Sequence, residues 1–589
     1  MLEKLLGSGS EFDSGKSLLR RWLRGCLEVK VLRVLTSSDL EVYKGHRFVA
    51  GWNIAVEHKG TLYRFDVLID GQFPYSQIRV AFKSSVVYLK WPHVEAEGLL
   101  CLSKAPSPAT GVEDSISDTL LDALELVESC NDSRFLDYEF RREFLSYWSR
   151  SIPDKSKTIQ SLLDPTNRRT RQIAVWQGKT ITLVGETKEQ VLSWLRGMGR
   201  KDSVIISGVF GFLDQAPVSP FPDSVEELDV LLQSQGASAL KLYEKLPIEK
   251  DVTLVLGADS PTGVGLFAIT ITKPNLNGYR KNNLKISAKK FLWAQRGRYM
   301  RVAVERFDTA WVHGRGMNDQ LSKLESATVL VLGCGSLGSQ VAVRLAQSGV
   351  GNLILVDPDK LSAANVGRHA LGIGSVGKSK VTELANEIKR RFPHIQSVEG
   401  SSLGWQMHFQ NYPEKSKKAD LVVACMGEWS ADGQFGEWQV SQRFTKPVVY
   451  GWLDEKGTAA HAISLVGGLP ALSCVLDLSG QLREPETLWE SDGLTQAEPA
   501  CGTLFQPYGS IDVAIAEALV SRLCIDVLSG KTIRPVHRVY ACSTAQLSEA
   551  GGQWSHEHLK ARPKDFEGAF EYEHSVLACG LCKICLERI

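Results

Sequence analysis

Charge of either sign is in no excess in this sequence: 68 Lys and Arg face 67 Asp and Glu, for a net charge of +1 over 589 residues. Neither a nucleic acid nor a membrane surface is therefore implied as a partner. No run of about eighteen apolar residues occurs, which argues against a spanning helix. Met1 to Phe12 lacks the apolar core of a secretory signal, and its Gly7-Ser8-Gly9-Ser10-Glu11-Phe12 stretch reads as a flexible leader. There is no internal repeat and no low-complexity tract. The 12 cysteines stand in a chain without a signal peptide. That pattern favours reduced thiols and a cytoplasmic location, where a singled-out cysteine is a nucleophile or a metal ligand. Cys26 and Cys524, in apolar stretches, read as inert packing residues.

The length predicts three or four domains, and pattern separates three segments, 15–155, 156–305 and 306–589. The first reads as α+β, with strands over Phe48 to His58 and Leu62 to Asp70 and helices over Leu120 to Val127 and Phe135 to Tyr147. The second carries strand signals at Lys179 to Val184 and Val252 to Leu256, and a helix around Thr187 to Arg196, and reads as α/β. The third alternates strand and helix: Thr328 to Leu332, Ser339 to Ser348, Asn352 to Val356, Lys378 to Arg391, then a third strand at Asp420 to Cys425. Such alternation predicts a doubly wound parallel sheet.

Between the first strand and helix of that sheet stands Gly333-Cys334-Gly335-Ser336-Leu337-Gly338. The glycines allow a sharp turn and a close approach of backbone to phosphate, with free helix amides facing it. Asp357 ends the next strand, where an acid can hold ribose hydroxyls. That much fits a dehydrogenase equally well. Asn365, Arg368 and then Lys378 and Lys380 suit a triphosphate better, because cations there stabilise charge on the α-phosphate and departing pyrophosphate.

In that order, G-x-G-x-x-G, Asp-x-Asp, Asn-x-x-Arg and a lysine opening a helix, residues 325 to 530 resemble the Rossmann-like adenylating domain of ubiquitin-activating enzymes and of bacterial ThiF/MoeB sulfur-carrier activators. The resemblance implies ATP and magnesium, with Asp357 on ribose and Asn365, Arg368 and Lys380 on phosphates; Lys378 is a substitute for Lys380. It also implies a homodimer and an arginine upstream of the loop, Arg306 or Arg315. The family's magnesium-binding Asp after the third strand is missing, and Met426-Gly427-Glu428 stands there, leaving Glu428 to take over or the metal to be held otherwise.

Pro499-Ala500-Cys501-Gly502 leads into an apolar helix, Ile511 to Leu528, a setting that lowers a thiol pKa. In the resembling family this loop carries the cysteine that receives the activated C-terminus; Cys542 is the reserve. At the N-terminal end, Trp91-Pro92-His93-Val94-Glu95-Ala96-Glu97-Gly98-Leu99-Leu100-Cys101-Leu102 resembles, without gaps, the His-Pro-Asn...Gly-x-x-Cys-Leu segment of ubiquitin-conjugating enzymes. The Tyr63 to Asp70 strand, the Phe73-Pro74 turn and Arg79 to Phe82 agree with it. Cys101 is then the thioester carrier, and His93 occupies the place of the oxyanion-holding asparagine, where it could donate to the oxyanion or take the amine's proton.

Cys579, Cys582 and Cys585 suggest zinc, with a fourth ligand among Cys474, Cys542 and His574. The domain order resembles the fused ubiquitin-transfer enzymes of bacterial CBASS antiphage operons, whose middle domain is inactive and adenylation-like. That resemblance implies a cGAS-like nucleotidyltransferase (CD-NTase) as cargo, activated at its C-terminus and joined to an amine on a target protein. The alternatives are conjugation of a bacterial ubiquitin-like protein, a sulfur-carrier activating enzyme, or a scaffold with degenerate sites.

Overall fold

The computed structural model describes residues 8–83, 87–102, 112–200, 204–234, 248–277, 285–313, 321–392, 395–466, 470–490, 494–497 and 504–586. Two compact units form, one from 1–186 with 205–305, the other from 187–204 with 306–589.

The first unit begins with a helix, Ser8–Gly25. Most of the expected leader is thus helical from Ser8, because Phe12, Leu19 and Leu23 recur at helical spacing and pack on the adjacent sheet. That sheet is a four-stranded antiparallel meander, Val29–Val34, Phe48–His58, Thr61–Asp70 and Arg79–Phe82. Alternation gives it two faces. Trp52, Ile54, Phe65, Val67 and Ile69 meet the helices Ser8–Gly25 and Val112–Ser129. Leu68 and Ala81, on the other face, pack with Tyr43 and Leu99 beneath the cysteine segment.

Residues 158–306 hold a closed seven-stranded barrel, in the order Gly263–Ile271, Tyr299–Arg306, Thr158–Ser161, Ile181–Gly185, Arg171–Gln177, Ile206–Leu213 and Val252–Ser260. Two of its pairings are parallel, so its closure joins strands far apart in sequence. Trp148 packs edge-on against Phe267 and Phe221, which seats the helix Phe144–Arg150 on the barrel.

The second unit is built on an eight-stranded sheet. Its parallel part runs Ser397–Ser401, Asn352–Val356, Thr328–Leu332, Leu421–Ala424, Pro447–Leu453. Ala459–Val466, Val536–Ala541 and Phe570–Ser575 continue it antiparallel. The strand read as third is fourth in chain order, since Ser397–Ser401 precedes it. Strand order reverses between Thr328–Leu332 and Leu421–Ala424, which opens a crevice at their C-terminal ends. Among the described residues no helix is long and apolar enough to cross a membrane.

Candidate functional sites

The glycine loop lies at that crevice. It follows Leu332 and ends in the helix Ser336–Gln347, with Gly335 as N-cap. Gly338 admits no side chain: a Cβ there would lie 1.9 Å from the Gly333 carbonyl oxygen. Asp357 braces the loop from the next strand. Its Oδ2 accepts the Cys334 amide at 2.7 Å and its Oδ1 the Asp359 amide at 2.8 Å. His369, which the sequence did not single out, adds a second brace. Its Nδ1 accepts the Leu371 amide at 3.0 Å, so Nε2 carries the proton given to the Cys334 carbonyl at 2.8 Å. Burial lowers the pKa of this histidine and keeps that tautomer neutral.

The two lysines part company here. Lys380 is buried, with Nζ 2.9 Å from Asp359 and 3.8 Å from Asp357. Lys378 is exposed and pairs with Glu383 at 3.3 Å. Arg368 lies 4.8 Å over the Tyr508 ring and donates to the Tyr508 carbonyl at 3.3 Å. Tyr508 also meets Ser336, in the first turn of the loop helix, at 3.2 Å. Asn365 accepts from the Ser362 hydroxyl at 2.9 Å and fixes the turn that carries Arg368. Arg306 is bound by Asp308 at 2.7 Å, and Arg315 lies outside the described residues.

After Leu421–Ala424, Glu428 is exposed and bonded to Ser430. The acid with a shielded oxygen is the half-buried Asp432, one helical turn further on. It accepts the Met426 amide, and its Oδ1 has no hydrogen-bond partner among the described residues. Burial, with Glu428 nearby, pushes its pKa up to about 7. A carboxylate oxygen without a hydrogen-bond partner beside the strand end has the hard-donor chemistry that suits a hard cation.

Cys501 lies outside the described residues. The strand pair Gln496–Ala497 with Leu504–Phe505 brackets 498–503. Cys542 is buried, its pKa raised to about 11, chiefly by that burial.

In the first unit, Cys101 is half-buried and its amide donates to the His93 carbonyl at 2.8 Å. His93 takes a left-handed backbone, φ 60°, and its amide donates to Tyr147 Oη at 2.8 Å. Its ring nitrogens face two carboxylates, Glu139 of the helix Ser133–Arg142 at 2.9 Å and Glu143, between that helix and the next, at 3.5 Å. Its link to Cys101 therefore runs through the backbone. The loop turns tightly at Gly98, φ +83°, where a Cβ would meet the Phe82 carbonyl oxygen at 2.5 Å.

The C-terminal cysteines converge. Sγ atoms of Cys474, Cys579, Cys582 and Cys585 all lie within 4.8 Å of one another. Cys474 is 3.8 Å from Cys582 and 3.6 Å from Cys585, close to the roughly 3.8 Å edge of a tetrahedron with metal–sulfur bonds near 2.3 Å. The amides of Leu581 and Cys582 point at Cys579 Sγ, and that of Cys585 at Cys582 Sγ. Against its burial, hydrogen bonds from Ser473 and neighbouring groups lower the Cys582 thiol to about 6. Of the three possible fourth ligands, Cys474 is the one in place.

With this geometry, residues 30–157 match the model of the Prokaryotic E2 family B and 313–501 that of the ThiF family. The chain is a fused protein of activating-like and conjugating-like domains. Among its curated relatives is the ATP-dependent ubiquitin transferase-like protein Cap2 of Pseudomonas aeruginosa, 26% identical over 242 residues, 39% of this chain and 41% of that protein. The chain thus spans about two fifths of that relative. The Cap2 protein of Vibrio cholerae is 21% identical over 459 residues, 71% of this chain and 75% of its own. Among solved structures, E. coli MccB is 19% identical and covers 46% of this chain and 67% of its own, with a TM-score of 0.32.

Proposed function

We propose that the chain adenylates the C-terminus of a protein with ATP, takes it as a thioester on Cys501, passes it to Cys101 and conjugates it to an amine on a target. The observation that carries this is the presence, on one chain, of the buried Asp357–Lys380 cradle beside a glycine loop and of a conjugating-type segment folded around Cys101. Adenylation replaces pyrophosphate at the α-phosphorus with the cargo carboxylate. The loop helix amides, Lys380 and Arg368 face the phosphates, and Asp357 faces the ribose. Tyr508 supports the relay, since it touches Arg368 and lies seven residues beyond Cys501, a tether of at most about 25 Å. Magnesium fits at Asp432, where it would neutralise phosphate charge. His93 serves by holding the Cys101 loop. The cargo we favour is a cGAS-like nucleotidyltransferase, on domain order and the likeness to Cap2 proteins. The activating unit would pair as a homodimer.

On a non-reducing gel with cargo, ATP and magnesium, the wild type gains a reducible adduct. Cys501→Ala abolishes it, and Cys101→Ala keeps only the adduct on the activating domain. No adduct with a nucleotidyltransferase, but one with a ubiquitin-like protein, would replace the cargo; dispensability of Cys501 would sink the relay.

The four-cysteine cluster is proposed as a structural zinc site. Elemental analysis is expected to find about one zinc per chain, lost together with several degrees of melting temperature in Cys474→Ser. Absence of zinc in the wild type would remove the site.

A further inference from the structure

The Cys101 thiol has one neighbour that the relay leaves without a task. Its Sγ donates to Glu95 Oε1 at 3.5 Å. That carboxylate is pinned from two sides, by Arg79 at 2.9 Å on the same oxygen and by His46 at 3.3 Å on the other. Arg79 comes from the last strand of the meander and His46 from the turn before Phe48–His58. Glu97 completes the group around His46, and Arg150 is the further cation acting on the thiol. Burial first, and the Glu95 charge second, raise the Cys101 pKa above the ordinary thiol value. Burial of Glu95 works against its ionisation, but Arg79 outweighs it and the carboxylate stays charged. Because the thiolate is the nucleophile, the resting cysteine is held in its unreactive form.

We propose that Glu95 keeps Cys101 as a thiol at rest and accepts its proton once an incoming thioester is in place. This rests on the reading of Cys101 as acyl acceptor. In the step, a bond forms between Cys101 Sγ and the cargo's carbonyl carbon while the bond from that carbon to the donor sulfur breaks. The Cys101 proton passes to Glu95 and from there to the departing thiolate, so no co-reactant is consumed.

The test is alkylation of Cys101 by iodoacetamide in the full chain, without cargo, between about pH 6 and pH 10, read by mass spectrometry of the Cys101 peptide. Glu95→Gln removes the charge, so alkylation near pH 7.5 is expected to rise at least about threefold and the profile to move to lower pH. Glu95→Asp, which keeps the charge, stays near the wild type. Arg79→Met loses a cation and slows alkylation, which gives a reading in the opposite direction should Glu95→Gln fold poorly. Thioester uptake on Cys101 is expected to fall about tenfold or more in Glu95→Gln. Alkylation profiles unchanged in both Glu95→Gln and Arg79→Met would overturn the proposal, as would unchanged uptake. Since alkylation needs no cargo, a chain whose Cys101 accepts none would end the conjugation reading and still leave this result to stand or fall alone.

Discussion

Lys380→Met is expected to weaken ATP binding at least about thirtyfold, while Lys378→Met changes it by less than about threefold. The two lysines stand two residues apart at the start of one helix, and a substitution by type alone treats them as equals. The fold does not. Lys380 is buried, 3.8 Å from the buried Asp357 and 2.9 Å from the exposed Asp359, whereas the Lys378 side chain is 56% exposed and bound to Glu383. Taking away a buried cation that pairs with a bound phosphate costs about 2–5 kcal/mol of binding, and about 2 kcal/mol is already some thirtyfold in affinity. An exposed pair contributes under about 1 kcal/mol. Calorimetric titration with a non-hydrolysable ATP analogue checks both variants. Equal losses would mean that Lys380 braces the Asp357 carboxylate without reaching the phosphates.

Gly338→Ala is expected to destroy the nucleotide site and lower the stability of the activating unit by about 3 kcal/mol or more. The added methyl would sit 1.9 Å from the Gly333 carbonyl oxygen and 3.2 Å from the Cys425 side chain. The first of these is backbone and cannot rotate aside, so the helix must lift off the loop that it closes. Overpacking in a close-packed site costs about 1–3 kcal/mol and sometimes more, and here the same movement withdraws the helix amides from the phosphates. A thermal melt with and without ATP reads both effects. A variant that melts with the wild type and is still stabilised by ATP would show that the loop has slack the structure does not suggest. Gly335→Ala is the comparison, because a Cβ there meets nothing within 4 Å.

Local pattern carried much of this molecule. The strands read at Phe48 to His58, Thr328 to Leu332 and Asn352 to Val356 form with those bounds, because apolar runs bounded by turn residues settle such strands locally. The barrel was not legible. Its closure depends on Thr158–Ser161 pairing in parallel with Ile181–Gly185 and Ile206–Leu213 with Val252–Ser260, and no short-range signal marks a parallel pair. Asp432 was not legible as a site residue, because it lies in the helix beyond the residues directly after the strand. The acid reaches back from one helical turn later, and only the fold brings it to the Met426 amide. Cys474 stood as one of three possible ligands, and a separation of more than a hundred residues hid its place. Nothing in the local pattern marks Glu139 and Glu143 as partners of the His93 ring, because only the tertiary fold sets them beside it.

The helices Ser133–Arg142 and Phe144–Arg150 serve two neighbours at once. One side gives Glu139, Glu143 and Tyr147 to the His93 turn, and the other buries Phe144 and Trp148 against Phe267 of the barrel. The conjugating-type domain is therefore not portable. A fragment ending before Ser133 would release the turn that the Cys101 amide hangs from, and one ending after Arg150 would present a bare aromatic face to water. Excising or swapping this domain in engineered fusions should carry the barrel along with it.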